Sequence, residues 1–383
     1  MAAVPRARDR GCPQRSDDDP TGGVGAPNVR RVPTHLLPVP PRRRSLPVVV
    51  LFTALVTVGA APPASAAGVP PDPRPTAVVA LGDSAASGEG AGDYEAGTRG
   101  EGGNWCHRSP AAYVHRSALA EVAVNLACSG AGAEHVAFGA AVHHTEGSQA
   151  QRLVEVARRH QVRAVTLQVG ANDEPDLSGV AVACIRAFLD LREPGCRTTV
   201  GPGWADRLGA VAPRIEAAAR DVRAAMSEAG YPPDGYAFVL LSYAAPGSEA
   251  MPAWHAVQGC PYSRPDAGWA RTDAFPQLAA TIGAVAERVG ARFLDLTRLA
   301  EGREACTGPL RDEWQRRLTV DPRTLVQGAL DTAGRHLFQE SFHPTAAAHT
   351  AIAGCLREFV GGTAARTACV PGRDGTAHPE VAA

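Results

Sequence analysis

Val78-Val79-Ala80-Leu81-Gly82-Asp83-Ser84 leads directly into Ala85-Ala86-Ser87-Gly88-Glu89-Gly90. The apolar run reads as a buried strand, and Gly-Asp-Ser followed by a Gly-rich stretch ends it in a turn of small residues. Such a strand presents a serine hydroxyl at the carboxyl edge of a sheet, where open α/β folds bind their ligands. Ser84 is therefore a candidate nucleophile. A serine attacks only with a general base in hydrogen-bond reach and with donors for the oxyanion, so the rest of the chain has to supply a histidine and suitable amides.

Working outward from 77–81, the apolar segments 122–127, 164–169, 237–241 and 292–296 also read as buried strands. Between them, 148–160, 204–229 and 276–289 carry apolar residues three and four apart, the spacing of helices. This alternation predicts an α/β fold with a mostly parallel, five-stranded sheet covered on both faces. The stretches 85–106, 174–203, 244–272 and 302–335 read as irregular and are expected to shape the site.

The first three strand candidates end in polar turns: Gly82-Asp83-Ser84, Cys128-Ser129-Gly130-Ala131 and Gly170-Ala171-Asn172-Asp173. At neighbouring strand ends, the amides of Ser84 and Gly130 and the Asn172 side-chain NH2 are candidate oxyanion donors. The base is found in Glu340-Ser341-Phe342-His343-Pro344, where proline opens a helix over 345–359 and leaves His343 on the preceding loop. Asp83 reads as support for its turn. The pair His143-His144 and the isolated His107, His115, His135 and His255 read as surface or polar-contact residues.

The 383 residues begin with a segment unlike the rest. Arg42-Arg43-Arg44, the apolar run 46–61 and Ala64-Ser65-Ala66 follow the order of a signal peptide, so 1–67 is read as an export leader. The apolar run is shorter than the roughly 20 residues of a membrane span, and no membrane anchor is expected after processing. A Pro-rich segment, 68–76, precedes the enzyme domain at 77–370, and 371–383 reads as a flexible tail. The chain has no lysine, and 29 arginines face 35 acidic residues after position 67. Nucleic-acid partners and a phosphate-binding Gly-Lys-Ser/Thr loop are thereby disfavoured. Eight cysteines remain after the leader, an even number that suits disulfides in an exported chain. Spacing does not choose among about 105 connectivities. Sequential pairing, Cys106–Cys128, Cys184–Cys196, Cys260–Cys306 and Cys355–Cys369, is the expectation. Zinc is the weaker alternative, since no Cys-x-x-Cys or His-x-x-His accompanies them.

Four blocks in order, Gly82-Asp83-Ser84 with 87–94, Ala127-Cys128-Ser129-Gly130-Ala131, Gly170-Ala171-Asn172-Asp173 and Ser341-Phe342-His343-Pro344 with 345–349, resemble the SGNH hydrolases. These are also called GDSL lipases and esterases, and the likeness is greatest to their secreted actinobacterial branch. The resemblance implies a flavodoxin-like three-layer α/β/α sandwich and the first three cysteine pairs. It also implies Ser84 as nucleophile, His343 as base, and Gly130 and Asn172 in the oxyanion hole. Many members carry aspartate three residues before the histidine, where this chain has Glu340. Either the Glu340 carboxylate or a main-chain carbonyl is then the group that orients His343. The expected protein is a secreted, monomeric serine hydrolase acting on carboxylic ester or lipid substrates, without metal or cofactor. A carbohydrate O-acetylesterase or a phospholipase would use the same groups, and a catalytically silent secreted binding module is the reading from a different class.

Overall fold

The computed structural model describes residues 72–173, 176–320 and 335–381. The chain divides after Gly68, and all described residues belong to the second unit. The export leader 1–67 lies outside the described residues, as do 68–71 and 321–334.

The strands are β1 (Thr76–Gly82), β2 (Val122–Asn125), β3 (Gln161–Gln168), β4 (Ala237–Leu241), β5 (Arg292–Asp295), β6 (Arg366–Pro371) and β7 (Ala377–Glu380). They form one sheet in the order β2-β1-β3-β4-β5-β6-β7. Strands β1 to β6 run parallel, and β7 returns antiparallel to β6. The order reverses between β1 and β3, the switch point at which open sheets of this kind leave a crevice. The five expected strands are all present. Two more extend the sheet at its far edge, so the expected flexible tail 371–383 is corrected: Pro371 and 377–380 pair in a hairpin closed around Gly372–Gly375.

The long helices are α1 (Gln149–Arg159), α2 (Leu177–Leu189), α3 (Trp204–Glu228), α4 (Phe275–Arg288) and α5 (Ala346–Gly361). Successive residues of β1 point to opposite faces. Val79 and Leu81 join the core under α1, α3 and α4, with Leu153, Ile215, Val222, Leu278 and Ile282. Val78 and Ala80 join the other core, with Tyr113, Ile352, Leu356 and Phe359. The result is the three-layer α/β/α sandwich. Helix α2 occupies part of the stretch expected to be irregular. None of its residues is fully buried, and Leu177, Val180, Ala183 and Cys184 pack partly buried against the core.

All four sequential cysteine pairs are disulfides. Cys106–Cys128 ties the loop after Ser84 to the turn after β2, and Cys184–Cys196 ties helix α2 to the segment that follows it. Loops of this size stabilise the fold by about 3 kcal/mol each in the chain-entropy account.

Candidate active site

Ser84 lies just past the carboxyl end of β1 because the turn before it admits one backbone path. Gly82 has φ +135°, and a Cβ there would lie 1.9 Å from the carbonyl oxygen of Gln168. The buried Gln149 side chain clamps Gly82 from both sides, accepting its N–H and donating to its C=O, each at 2.8 Å. Asp83 caps the single helical turn Ser84–Ser87 by accepting the Ala85 N–H. Its other oxygen accepts the Tyr243 hydroxyl at 2.6 Å. Burial pushes the Asp83 carboxyl up to about 7 against these hydrogen bonds. Asp83 is thus turn support, and Ser84 is left as the first helical residue.

The Ser84 hydroxyl donates to His343 Nε2 at 2.7 Å. His343 Nδ1–H donates to the main-chain carbonyl of Ser341 at 3.0 Å. Phe342, between them, has φ +64°, a conformation rare for a bulky residue. That left-handed step folds the chain back so that the Ser341 carbonyl meets the imidazole two residues on. Phe342 is held by an edge-on contact with Tyr262. The backbone of His343 is fixed by Arg316 N–H on its carbonyl at 2.8 Å, beside the bridge between Gln315 and Pro344.

Glu340 is buried and turned to other partners. Its Oε1 accepts the Tyr94 hydroxyl at 2.8 Å, and Oε2 lies 3.5 Å from Arg316 Nη1. Of the two acceptors left open by the sequence for His343, the main-chain carbonyl is the one bonded to its ring. The charge of Glu340 also acts on the imidazole. Burial draws the His343 pKa below its ordinary value, and Glu89, the Ser341 carbonyl and Glu340 oppose that shift.

The other two strand ends converge on the same edge. The Ala131 N–H closes a turn onto the Cys128 carbonyl at 3.0 Å, with Gly130 in its third position. Asn172 Nδ2 donates to the Ala131 carbonyl at 3.1 Å, which joins the β3 turn to the β2 turn. Asp173 accepts the Ala133 N–H with both oxygens, at 3.2 and 3.0 Å.

A sequence model of the GDSL-like Lipase/Acylhydrolase family matches residues 80–351. The chain belongs to this family. As a GDSL hydrolase it is a carboxylic ester hydrolase. Among solved structures it is similar to a phospholipase A1 from Streptomyces albidoflavus NA297, with 23% identity, a TM-score of 0.49 and coverage of 72% of this chain and 95% of that one. An extracellular lipase from Streptomyces rimosus gives 20% identity and a TM-score of 0.47 over 72% and 95%. A carbohydrate acetylesterase from Sinorhizobium meliloti gives 11% and 0.29 over 57% and 83%. Among curated proteins none matches.

The GDSL hydrolase also holds a buried polar network that the sequence reading passed over. Glu89 is fully buried and meets His107 Nδ1 with both oxygens at 3.0 Å. The Tyr94 hydroxyl stands 3.0 Å from Glu89 Oε1, between Glu89 and Glu340. Gln339 Nε2 lies within hydrogen-bond distance of Glu89 Oε2, the Trp105 carbonyl and Ser129 Oγ. Burial raises the Glu89 pKa, but the bond to His107 and the charges of His107 and His343 outweigh it and leave the carboxyl below its ordinary range. His107 was expected to be a surface or polar-contact residue, and it is a buried polar contact. The available signal was a glutamate inside a Gly-rich run, where nothing else explains an acidic residue.

Gly90 sits where this network meets His343. A Cβ at Gly90 would lie 2.8 Å from both His343 Cβ and the Pro344 carbonyl oxygen, and φ is +83°. Gly90→Ala is expected to displace His343 and lower kcat on a soluble ester by about 10²-fold, the scale of a 1 Å misplacement. Steady-state kinetics on the folded variant check this, and an unchanged kcat would show that the loop yields without moving the histidine.

Proposed function

We propose that this GDSL hydrolase is a secreted esterase or lipase that works through an acyl-enzyme on Ser84. The observation that carries the reading is the 2.7 Å bond from the Ser84 hydroxyl to His343 Nε2, with Nδ1 committed to the Ser341 carbonyl. The Nδ1–H tautomer leaves the Nε2 lone pair aimed at the serine, which is the arrangement a general base needs. His343 takes the Ser84 proton as Oγ attacks the ester carbonyl carbon. The oxyanion receives the N–H groups of Ser84 and Gly130 and the second hydrogen of the Asn172 amide. Protonated His343 then gives its proton to the leaving alcohol, and a water activated by the same imidazole releases the acid.

Glu340 is the positioning test of this reading. Glu340→Gln is expected to lower kcat by less than about tenfold, against the roughly 10⁴-fold that loss of a histidine-bonded triad carboxylate costs. Since the Glu340 charge raises the His343 pKa, its removal also moves the acid limb of the pH profile to lower pH. A loss near 10⁴-fold would return the orienting role to this side chain.

Export is supported by the leader-like sequence of 1–67 and by four disulfides, which persist in oxidising compartments. Among the described residues no helix is long and apolar enough to cross a membrane. A monomer acting on ester or lipid substrates, without cofactor, is the form proposed. A fluorophosphonate probe tests the chemistry: a covalent adduct mapped to Ser84 is expected, and an unlabelled, folded protein would favour the silent binding module.

A further inference from the structure

The turn Cys128–Ala131 contains one peptide group whose direction the bonds at its ends leave open. The Ala131 N–H closes onto the Cys128 carbonyl at 3.0 Å, the Ser129 N–H donates to the Cys106 carbonyl at 3.1 Å, and the Ala131 carbonyl accepts Asn172 Nδ2 at 3.1 Å. The peptide between Ser129 and Gly130 is the unit that turns of types I and II face in opposite directions. Gly130 has φ +82°, the conformation of the third residue in a type II turn. On the reading of Gly130 as an oxyanion donor, we propose that His143, assisted by His144, is a positioning residue for ester hydrolysis that holds this peptide with the Gly130 N–H facing the oxyanion.

His143 Nε2 lies 2.7 Å and His144 Nε2 3.3 Å from the Ser129 carbonyl oxygen. A carbonyl only accepts, so each ring places an N–H there, and the two donors take up the oxygen's two lone pairs. In a planar trans peptide the C=O and the N–H point to opposite sides, so holding the oxygen fixes the direction of the Gly130 N–H. Among the described residues that N–H meets no acceptor, which keeps it available to an ester oxygen. Hydrogen bonds at the carbonyl also polarise the peptide and strengthen its N–H as a donor. In the flipped turn the carbonyl would take the place of the N–H, and its negative end opposes an oxyanion.

His143 is itself held in place. Its N–H and C=O exchange bonds with Glu146, each at 2.9 Å. Glu146 is clamped by Arg108 and Arg152 and accepts Asn104 Nδ2 at 2.9 Å. Arg108 Nη1 also donates to the Ala127 carbonyl at 3.0 Å, one residue before the turn begins. One arginine thus fastens both the support of the histidine and the turn that the histidine orients. The ring lies against Gly130, where a Cβ would come within 3.0 Å of His143 Nε2.

The test compares His143→Leu, His143→Asn, His143→Gln and the double variant His143→Leu/His144→Leu with the parent, each with its thermal transition. Glutamine carries an amide N–H where His143 has Nε2, and asparagine, one carbon shorter, falls short of the carbonyl. On a p-nitrophenyl ester, kcat is expected to fall about tenfold in the Leu and Asn variants with KM held, to stay near the parent in Gln, and to fall about 10²-fold in the double variant, approaching the cost of deleting an oxyanion donor. An alkyl boronic acid, whose tetrahedral serine adduct mimics the transition state, is expected to lose affinity by the same factors. Parent kcat in the double variant, or a Gln variant as impaired as the Leu variant with an intact melt, overturns the proposal. Where the leucine variants lose their thermal transition, equal rates in Asn and Gln overturn it instead. Ser84→Ala is run alongside: a rate that survives it overturns the acyl-enzyme reading, and the role of His143 with it, whereas a rate lost there and unchanged in the histidine variants overturns the role of His143 alone.

Discussion

Ser84→Ala is expected to lower kcat for p-nitrophenyl esters by about 10⁴–10⁶-fold, the loss seen when a serine nucleophile is deleted from a working unit. On the proposed mechanism the substitution removes the oxygen that forms the acyl-enzyme and leaves the oxyanion donors in place, so a small residual rate over water is expected. The fold should survive. Ser84 occupies the first position of a helical turn capped by Asp83, and alanine keeps that turn. The change leaves His343 Nε2 without its donor, which costs on the order of 1–3 kcal/mol for a buried acceptor. Steady-state rates on acetyl to palmitoyl esters, with a thermal melt of each protein, make the comparison. Loss of rate with an intact melt supports the Ser84 pathway, and the chain-length optimum of the parent distinguishes a lipase from a small-ester or carbohydrate deacetylase. A retained rate would mean that another group performs the attack.

His343→Gln is expected to cost about 10⁴-fold in kcat, because glutamine keeps a polar contact with Ser84 but cannot take its proton at neutral pH. On the proposed mechanism the same residue sets the pH profile of the parent, with the neutral imidazole as its working form. Burial lowers its pKa below the ordinary value of about 6.5, so the neutral form persists further into acid than a free histidine's would. kcat/KM should therefore hold level through neutral pH and fall as pH drops through a midpoint under about 6.5. The limb moves further to acid in Glu340→Gln. A parent midpoint above 7 would show that Glu89 and Glu340 dominate over burial, since those two charges act in the opposite sense.

The five strand cores were readable because each is a short, mostly apolar run, and β4 begins and ends where expected. The last two strands were not. β7, Ala377-His378-Pro379-Glu380, is short, and its pattern gains strand geometry only from pairing with β6. Helix α2 was also missed; it only partly buries Leu177, Val180, Ala183 and Cys184 against the core.

Sequence alone determined the reactive residue types and their order, the even set of cysteines and the family, because a nucleophile, an imidazole and side-chain amide donors are each visible as letters. Tertiary structure decided what holds them. The acceptor for His343 is a main-chain carbonyl, a group every residue carries, and its aim depends on the left-handed turn at Phe342. The burial of Glu89 with His107 and the gathering of His143, His144 and His336 were likewise decided in space. Residues 89 and 107, or 144 and 336, become neighbours only when the loops after β1 and β2 fold against the segment before His343, and no periodicity in the chain encodes that meeting.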